Sequence, residues 1–290
     1  MSLLQSPHWP FLIDVYFFLG GLAGGAFVIA TVANLLDAAR YRSVVRVGYY
    51  LALVALLPCP IILIVDLGVP ARFMNMVLSF NPLSPMSMGA WALLGFSACA
   101  FFAALFTFLE DAGRARNLSG PKVIVGVIGG FFGFFLAAYP GVLIGATARP
   151  LWIEGHALGA LFLAVGASTG AAAIALILLA VGRRARHEIA AVRAMTVLAL
   201  LIQLLSVAIF LASVQMSGRP ASVAALDGLT SGRFKMMFWV GAISVGSVLP
   251  LALGLVDLRR RSAALTALTS VLVLVGGFLV KYVIMAAGQA

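Results

Sequence analysis

The sequence predicts an all-α integral membrane protein of eight transmembrane helices, and three observations predict it. Of its 290 residues, 63% are hydrophobic and only 10% charged, too few polar residues to cover a soluble domain of this length. The apolar residues gather in runs of about twenty or more, enough as helix to cross a hydrocarbon core of roughly 30 Å. Inside those runs polar and apolar residues do not alternate, which excludes the closed β-barrel, the other backbone that satisfies itself in lipid.

The runs place spans near 12–35, 47–67, 87–109, 122–146, 156–181, 192–216, 234–256 and 264–287. No Lys or Arg precedes the first span, so no cleavable signal peptide is expected there. Within it, Gly20, Gly21, Gly24 and Gly25 put small residues four apart, which lets helices approach closely. With no strand before them they do not read as a dinucleotide-binding loop. The second span carries Pro58 and Pro60 and closes on Asp66. A long loop holding Met74, Met76, Met86 and Met88 leads to the third, and these methionines read as packing rather than as metal ligands. The fourth contains Tyr139 followed by Pro140, where a missing donor leaves a carbonyl near residue 136 to find another partner. Gln203 and Gln215 in the sixth are expected to hydrogen-bond between helices, and Pro250 interrupts the seventh. The eight spans are expected to form two four-helix bundles, over residues 1–150 and 151–290.

Charge sets the expected orientation. The net charge is +10, yet it is not a basic stripe for nucleic acid. Thirteen of the nineteen basic residues fall in one set of alternate loops: Arg40, Arg42, Arg46, Arg114, Arg116, Lys122, Arg183, Arg184, Arg186, Arg193, Arg259, Arg260 and Arg261. Arg72, Arg149, Arg219, Arg233 and Lys235 occupy the opposite set, and Lys281 lies late in the last span. The positive-inside rule makes the first set cytoplasmic, so both termini face outward, to the periplasm.

The protein has little chemistry of its own. Its two cysteines, Cys59 and Cys99, lie in separate spans, whereas an iron–sulfur cluster takes about four thiolates. Of three histidines, His187 falls in a cytoplasmic loop, and His8 and His156 at the outer interface. A bis-His haem from His8 and His156 is the one pairing open, with neither inside a span, and the protein is read as haem-free. Ionisable groups at membrane depth are functional candidates by default. Asp14, Asp66 and Tyr139 lie toward the outer end of the first four spans, with Arg72 and Arg149 beside them and Trp152, Glu154 and His156 following. Such a group can bind a polar head between apolar walls and exchange protons with it. Taken singly, each has a plainer reading: Asp66 and Arg72 pair to shape a loop, and Tyr or Trp sits in an aromatic belt.

Three outer segments carry a resemblance. Residues 9–27 (WPFLIDVYFFLGGLAGGAF), 66–91 (DLGVPARFMNMVLSFNPLSPMSMGAW) and 139–152 (YPGVLIGATARPLW) resemble the NrfD-like family, the membrane subunits of polysulfide reductase and its relatives. The resemblance covers roughly the first 165 residues; the last four spans agree only in number and hydrophobicity. It implies an eight-helix, haem-free subunit in a bacterial or archaeal cytoplasmic membrane, with a quinone bound by the first four helices near the outer face. It also implies partners: a four-cluster ferredoxin-like iron–sulfur subunit and a catalytic subunit, often a molybdenum or tungsten bis-pterin oxidoreductase.

Carried over to this sequence, Tyr139 hydrogen-bonds a quinone oxygen, Asp66 and Arg72 shape the site and its proton path, and Asp14 is a further proton carrier. Arg149, Trp152 and His8 complete the expected quinone-binding set. The sequence departs from some relatives in having no histidine inside the first span. A secondary transporter is the competing reading, since prolines break several spans; a purely structural anchor is the third.

Overall fold

The computed structural model describes residues 9–69, 71, 73–78, 80–114, 118–181 and 186–290, the side chains of 76, 77, 186 and 187 excepted. Among the described residues there is no β-strand. Eight helices among these residues are long and apolar enough to cross a membrane. They are α1 (Phe11–Asp37), α2 with α3 (Arg42–Leu56, Pro58–Asp66), α5 (Pro85–Asp111), α6 (Ser119–Gly145), α8 (Leu158–Val181), α9 (Arg186–Met216), a π-helical segment (Met237–Val248) continued by α11 (Leu249–Arg260), and α12 (Ala263–Gln289). Short helices α4 (Phe73–Leu78), α7 (Pro150–Ile153) and α10 (Pro220–Thr230) occupy three of the connections. The largest boundary difference from the sequence reading is the sixth span, whose helix begins at Arg186 rather than near 192; the second begins at Arg42 rather than near 47.

Local chemistry explains the breaks. Pro58 has no N–H to donate, so α2 stops at Leu56 and α3 restarts with proline in its first turn. Pro140 lies inside α6, which nevertheless runs on to Gly145. The π-helical stretch in the seventh span has no counterpart in the sequence reading. Its wider turn is sustained by a side chain: the Ser247 hydroxyl donates to the Ala242 carbonyl at 2.8 Å, five residues back.

α5 begins in a polar knot built from Asn81-Pro82-Leu83-Ser84-Pro85-Met86-Ser87. The Leu83 amide donates to Asn81 Oδ1 at 3.0 Å, the Asn81 amide to Ser87 Oγ at 2.9 Å, and the Ser87 amide to Ser84 Oγ at 3.4 Å. Ser84 is thus the N-cap, with proline at the first helical position.

α1 and α8 are the two most buried spans and sit at the centre. α1 packs on α2, α6 and α8; α8 packs on α1, α6, α9 and α12. α5 lies between α2 and α6, and the seventh span between α9 and α12. Small residues permit the central crossings. A Cβ on Gly24 would strike the backbone of Gly133 in α6, and one on Gly25 the backbone of Gly166 in α8. Outside this centre the helices expose Phe, Leu, Ile and Val, among them Phe131, Leu205 and Val240, as a lipid-facing surface requires.

Polar contacts are few and local. Arg193, Asp257 and Thr266 form a buried cluster joining α9, α11 and α12: Arg193 Nε lies 2.9 Å from Asp257 Oδ2 and donates to Thr266 Oγ1 at 2.7 Å. Gln203 bridges α8 and the seventh span, accepting from Ser168 Oγ at 2.9 Å and donating to Ser247 Oγ at 2.8 Å. Its expected role between helices is thereby met. The Trp9 amide donates to Gln289 Oε1 at 2.6 Å, so residues 9 and 289 share one end of the bundle, called here the terminal end.

Candidate functional site

The candidate residues belong to the terminal end, where α1 begins and α3, α6 and α12 finish. Tyr139, in the last two turns of α6, is buried. Its hydroxyl donates to the Pro85 carbonyl at 2.8 Å. Its ring stacks on Phe135, with centroids 5.6 Å apart and planes 22° from parallel. Gly89, one turn along α5, leaves room for that ring: a Cβ there would overlap the phenol. The second and third of the sequence motifs therefore meet in one tyrosine. The first motif reaches the same helix, because Tyr16 of α1 and Leu136 of α6 both flank Gly20.

Further along α5 lies an apolar crevice of about 190 Å³ between α3, α4 and α5, lined among others by Pro60, Leu63, Leu67, Phe73 and Leu93. Leu93 is one turn along α5 from Gly89, so the crevice and the tyrosine lie along the same helix. The crevice is lined by hydrocarbon apart from Ser97.

The other candidates are dispersed around this centre. Asp14 is 4% exposed in α1, and its Oδ1 is buried with no hydrogen-bond partner among the described residues. Asp66 ends α3 and is exposed. His8 and Arg72 lie outside the described residues, and with them the expected Asp66–Arg72 pairing. Arg149 stands at the N-cap of α7 and reaches the Gln289 carbonyl at 3.5 Å. Trp152 is fully buried, and its indole N–H donates to the Ile284 carbonyl at 3.0 Å, tying α7 to α12. His156 is exposed, and Glu154 pairs with Arg219 at 2.6 Å.

One residue was missed by the sequence reading as a site candidate. Lys281 of α12 is 1% exposed. Its Nζ donates to the Phe17 carbonyl of α1 at 2.7 Å and lies 5.2 Å from the centre of the Phe162 ring. The signal was available: it is the single basic residue well inside an apolar span, and such residues are functional candidates by default. Conversely, no group of three or more His, Cys, Asp or Glu among the described residues has the geometry to hold a metal ion. Cys59 is buried, with its thiol directed at the Ala55 carbonyl, and Cys99 is partly buried; neither is in a disulfide.

Comparison with known proteins extends the likeness through both halves. The family described as "Polysulphide reductase, NrfD" matches residues 3–290. The polysulfide reductase C subunit of Wolinella succinogenes is 25% identical over 302 residues, covering 97% of this protein and 94% of its own length. A protein NrfD homolog of Haemophilus influenzae is 27% identical over 307 residues, with the same two coverages of 97% and 94%.

Proposed function

The protein belongs to the polysulphide reductase NrfD family, and on that premise we propose that it is the quinone- or quinol-reactive membrane subunit of a multi-subunit oxidoreductase. The observation that carries the reading is the placement of Tyr139 where two motifs of the sequence meet: its buried ring packs on Gly89 of α5, one turn from Leu93, which lines an apolar crevice. Quinone chemistry moves two electrons with two protons, and it calls for a hydrogen-bonding group at the head and an apolar trough for the tail. A quinone oxygen would take the place of the Pro85 carbonyl as acceptor of the Tyr139 hydroxyl. Asp66, exposed at the rim, and Asp14, buried in α1, would pass protons between that oxygen and the membrane surface.

Electrons would leave or enter through an iron–sulfur partner, as the family membership suggests. We take that partner to be a four-cluster ferredoxin-like subunit docked at the terminal end, serving a catalytic subunit with a molybdenum or tungsten bis-pterin. The name of the Wolinella relative, which marks it as one lettered component of polysulfide reductase, supports a multi-subunit setting. The arginine-rich loops support an orientation with the terminal end outside a bacterial or archaeal cytoplasmic membrane.

The test is purification of the tagged protein in mild detergent, followed by mass spectrometry of what accompanies it and assay of the complex with a menaquinol or ubiquinol analogue. A stoichiometric cysteine-rich iron–sulfur protein and quinol turnover are expected. A protein that purifies alone and takes up solutes in proteoliposomes overturns the reading in favour of a transporter.

A further inference from the structure

Lys281 poses a physical problem. A cation withdrawn from water is costly unless it is paired, and this one has a carbonyl and an aromatic face for company. Among the described residues neither Lys281 nor Asp14 takes part in an ion pair. Asp14 has the complementary problem, a buried carboxyl oxygen with no partner among the described residues.

The two lie at the same level along the bundle. Phe11 and Phe18 of α1 both meet Phe278 of α12, with ring centroids 5.9 and 5.6 Å apart, and Phe11 also meets Tyr282 at 6.0 Å. Asp14 stands between Phe11 and Phe18 on that face of α1, so its backbone is level with the turn 278–282 that carries Lys281. Seven residues on, Gly21 repeats the same face of α1. The lysine side chain runs along that face toward the arginine-rich end: its Nζ bonds the Phe17 carbonyl, and a Cβ on Gly21 would stand 2.5 Å from it. Gly21, beside which the ammonium sits, is about two turns along α1 from Asp14, so exchange between the two requires the lysine stem to swing back along that face.

We propose that Lys281 is the proton-exchanging partner of Asp14. This deepens the quinone reading and rests on it, since Asp14 is there a proton carrier. When the stem swings, an N–H bond of the ammonium breaks and an O–H bond forms on the Asp14 carboxylate. A neutral amine and a neutral carboxylic acid remain, and the reverse step restores both charges. Two buried opposite charges become two neutral groups, a change that a medium of low dielectric favours. The last span thereby contributes a residue to a path that otherwise uses only the first four.

Several polar groups on α12 and on the elements packed against it have partners of their own. From α8, Ser168 and Thr169 donate to the Val165 carbonyl at 3.0 and 2.7 Å. From α7, Trp152 donates to Ile284, and beyond it Glu154 is held by Arg219. Arg149 reaches the Gln289 carbonyl, and Tyr282 stacks on Phe278 with planes 11° from parallel.

The test is a mutant cycle in the intact complex, reading quinol kcat and KM with Lys281→Met, Lys281→Arg, Asp14→Asn and the combinations. Each single change is expected to lower kcat about tenfold or more with KM unchanged, and the double variant to be no worse than the slower single one. Arginine keeps a cation for the Phe17 carbonyl and the Phe162 ring but does not release its proton, so it is expected to be as slow as methionine. Where the methionine variant does not assemble, the arginine cycle answers the same question. Full turnover with arginine, or losses that multiply in the double variant, overturns the relay. If Tyr139→Phe slows the complex while the Lys281 variants do not, only the relay falls. A wild-type complex inert to quinol removes the function itself.

Discussion

The Tyr139 hydroxyl donates to the Pro85 carbonyl at 2.8 Å, so one hydrogen bond joins two motifs 54 residues apart in the sequence. That carbonyl belongs to the first helical residue of α5, a turn from the glycine that receives the phenol ring. The tyrosine is therefore a structural clasp between α5 and α6, and in the proposed function it is also the group that meets a ligand head.

Tyr139→Phe separates those two roles. Loss of the bond to Pro85 is expected to cost about 1 kcal/mol of stability, leaving the complex assembled. Quinol turnover is expected to fall about tenfold or more, and Asp66→Asn, at the exposed rim, to lower it as well. Steady-state assay of the co-purified complexes checks both, and normal turnover in both variants would remove the site assignment while leaving the fold untouched.

Gly89→Ala attacks the same contact from the other side. The new methyl group occupies the place of the Tyr139 ring, which must then leave its position between Phe135 and α5. Turnover is expected to drop at least as far as in Tyr139→Phe, with destabilisation of about 1–3 kcal/mol. A thermal unfolding series in detergent, run beside the assay, reads both effects.

The central crossing gives a contrast between two glycines in helices. Gly25→Ala pushes a methyl into the backbone of Gly166, and α1 and α8 must separate; a loss of about 1–3 kcal/mol is expected. Gly228→Ala in α10 meets nothing within 4 Å. There the gain in helix propensity is expected to stabilise the protein by about 0.5–1 kcal/mol. Equal melting shifts for the two would contradict the packing of α1 against α8.

The buried pair of Arg193 and Asp257 predicts an asymmetry. Asp257→Ala strands the guanidinium and removes acceptors from Thr266 Oγ1 and the Ser262 amide, for an expected cost of about 3–5 kcal/mol. Replacing Arg193 by Met and Asp257 by Leu together is expected to recover most of that loss, because no charge is left uncompensated. Melting temperatures of the two single variants and the double variant decide the point.

Gln203→Leu is expected to cost much less, about 0.6 kcal/mol. Ser168 and Ser247 each keep a backbone acceptor, the Val165 and Ala242 carbonyls, so neither hydroxyl is orphaned. A large loss would mean that Gln203, rather than Ser247, holds the π-helical segment in register.

The membrane architecture is legible in the sequence because it is written in composition and run length. All eight spans can be placed that way, and the glycines of α1 read as close-approach positions without knowledge of their partners Gly133 and Gly166. The candidate site is legible in part. Asp14 and Tyr139 stand out because polar atoms at membrane depth are conspicuous, and Pro140 draws attention to the same turn. What each polar residue touches is not legible. Trp152 reads as a ligand contact, with no sign in the sequence that its indole N–H goes to the Ile284 carbonyl, and much of the Asn81–Ser87 motif goes into starting α5. Lys281 is visible late in the last span, yet nothing local to it reveals the Phe17 carbonyl, 264 residues away.

By itself the sequence determined what the lipid demands of any polypeptide: enough apolar length for each crossing, helical backbone throughout, and most of the charge kept to the loops. These follow from local hydrophobicity and need no knowledge of neighbours. Only the tertiary structure decided that α1 and α8 form the centre, that Tyr139 meets α5 while Lys281 meets α1, and that the seventh span widens into a π-helix. Those depend on which faces of different helices come into contact. Inside a membrane every helix is apolar on most faces, so the choice of neighbour falls to small residues, isolated polar groups and close packing.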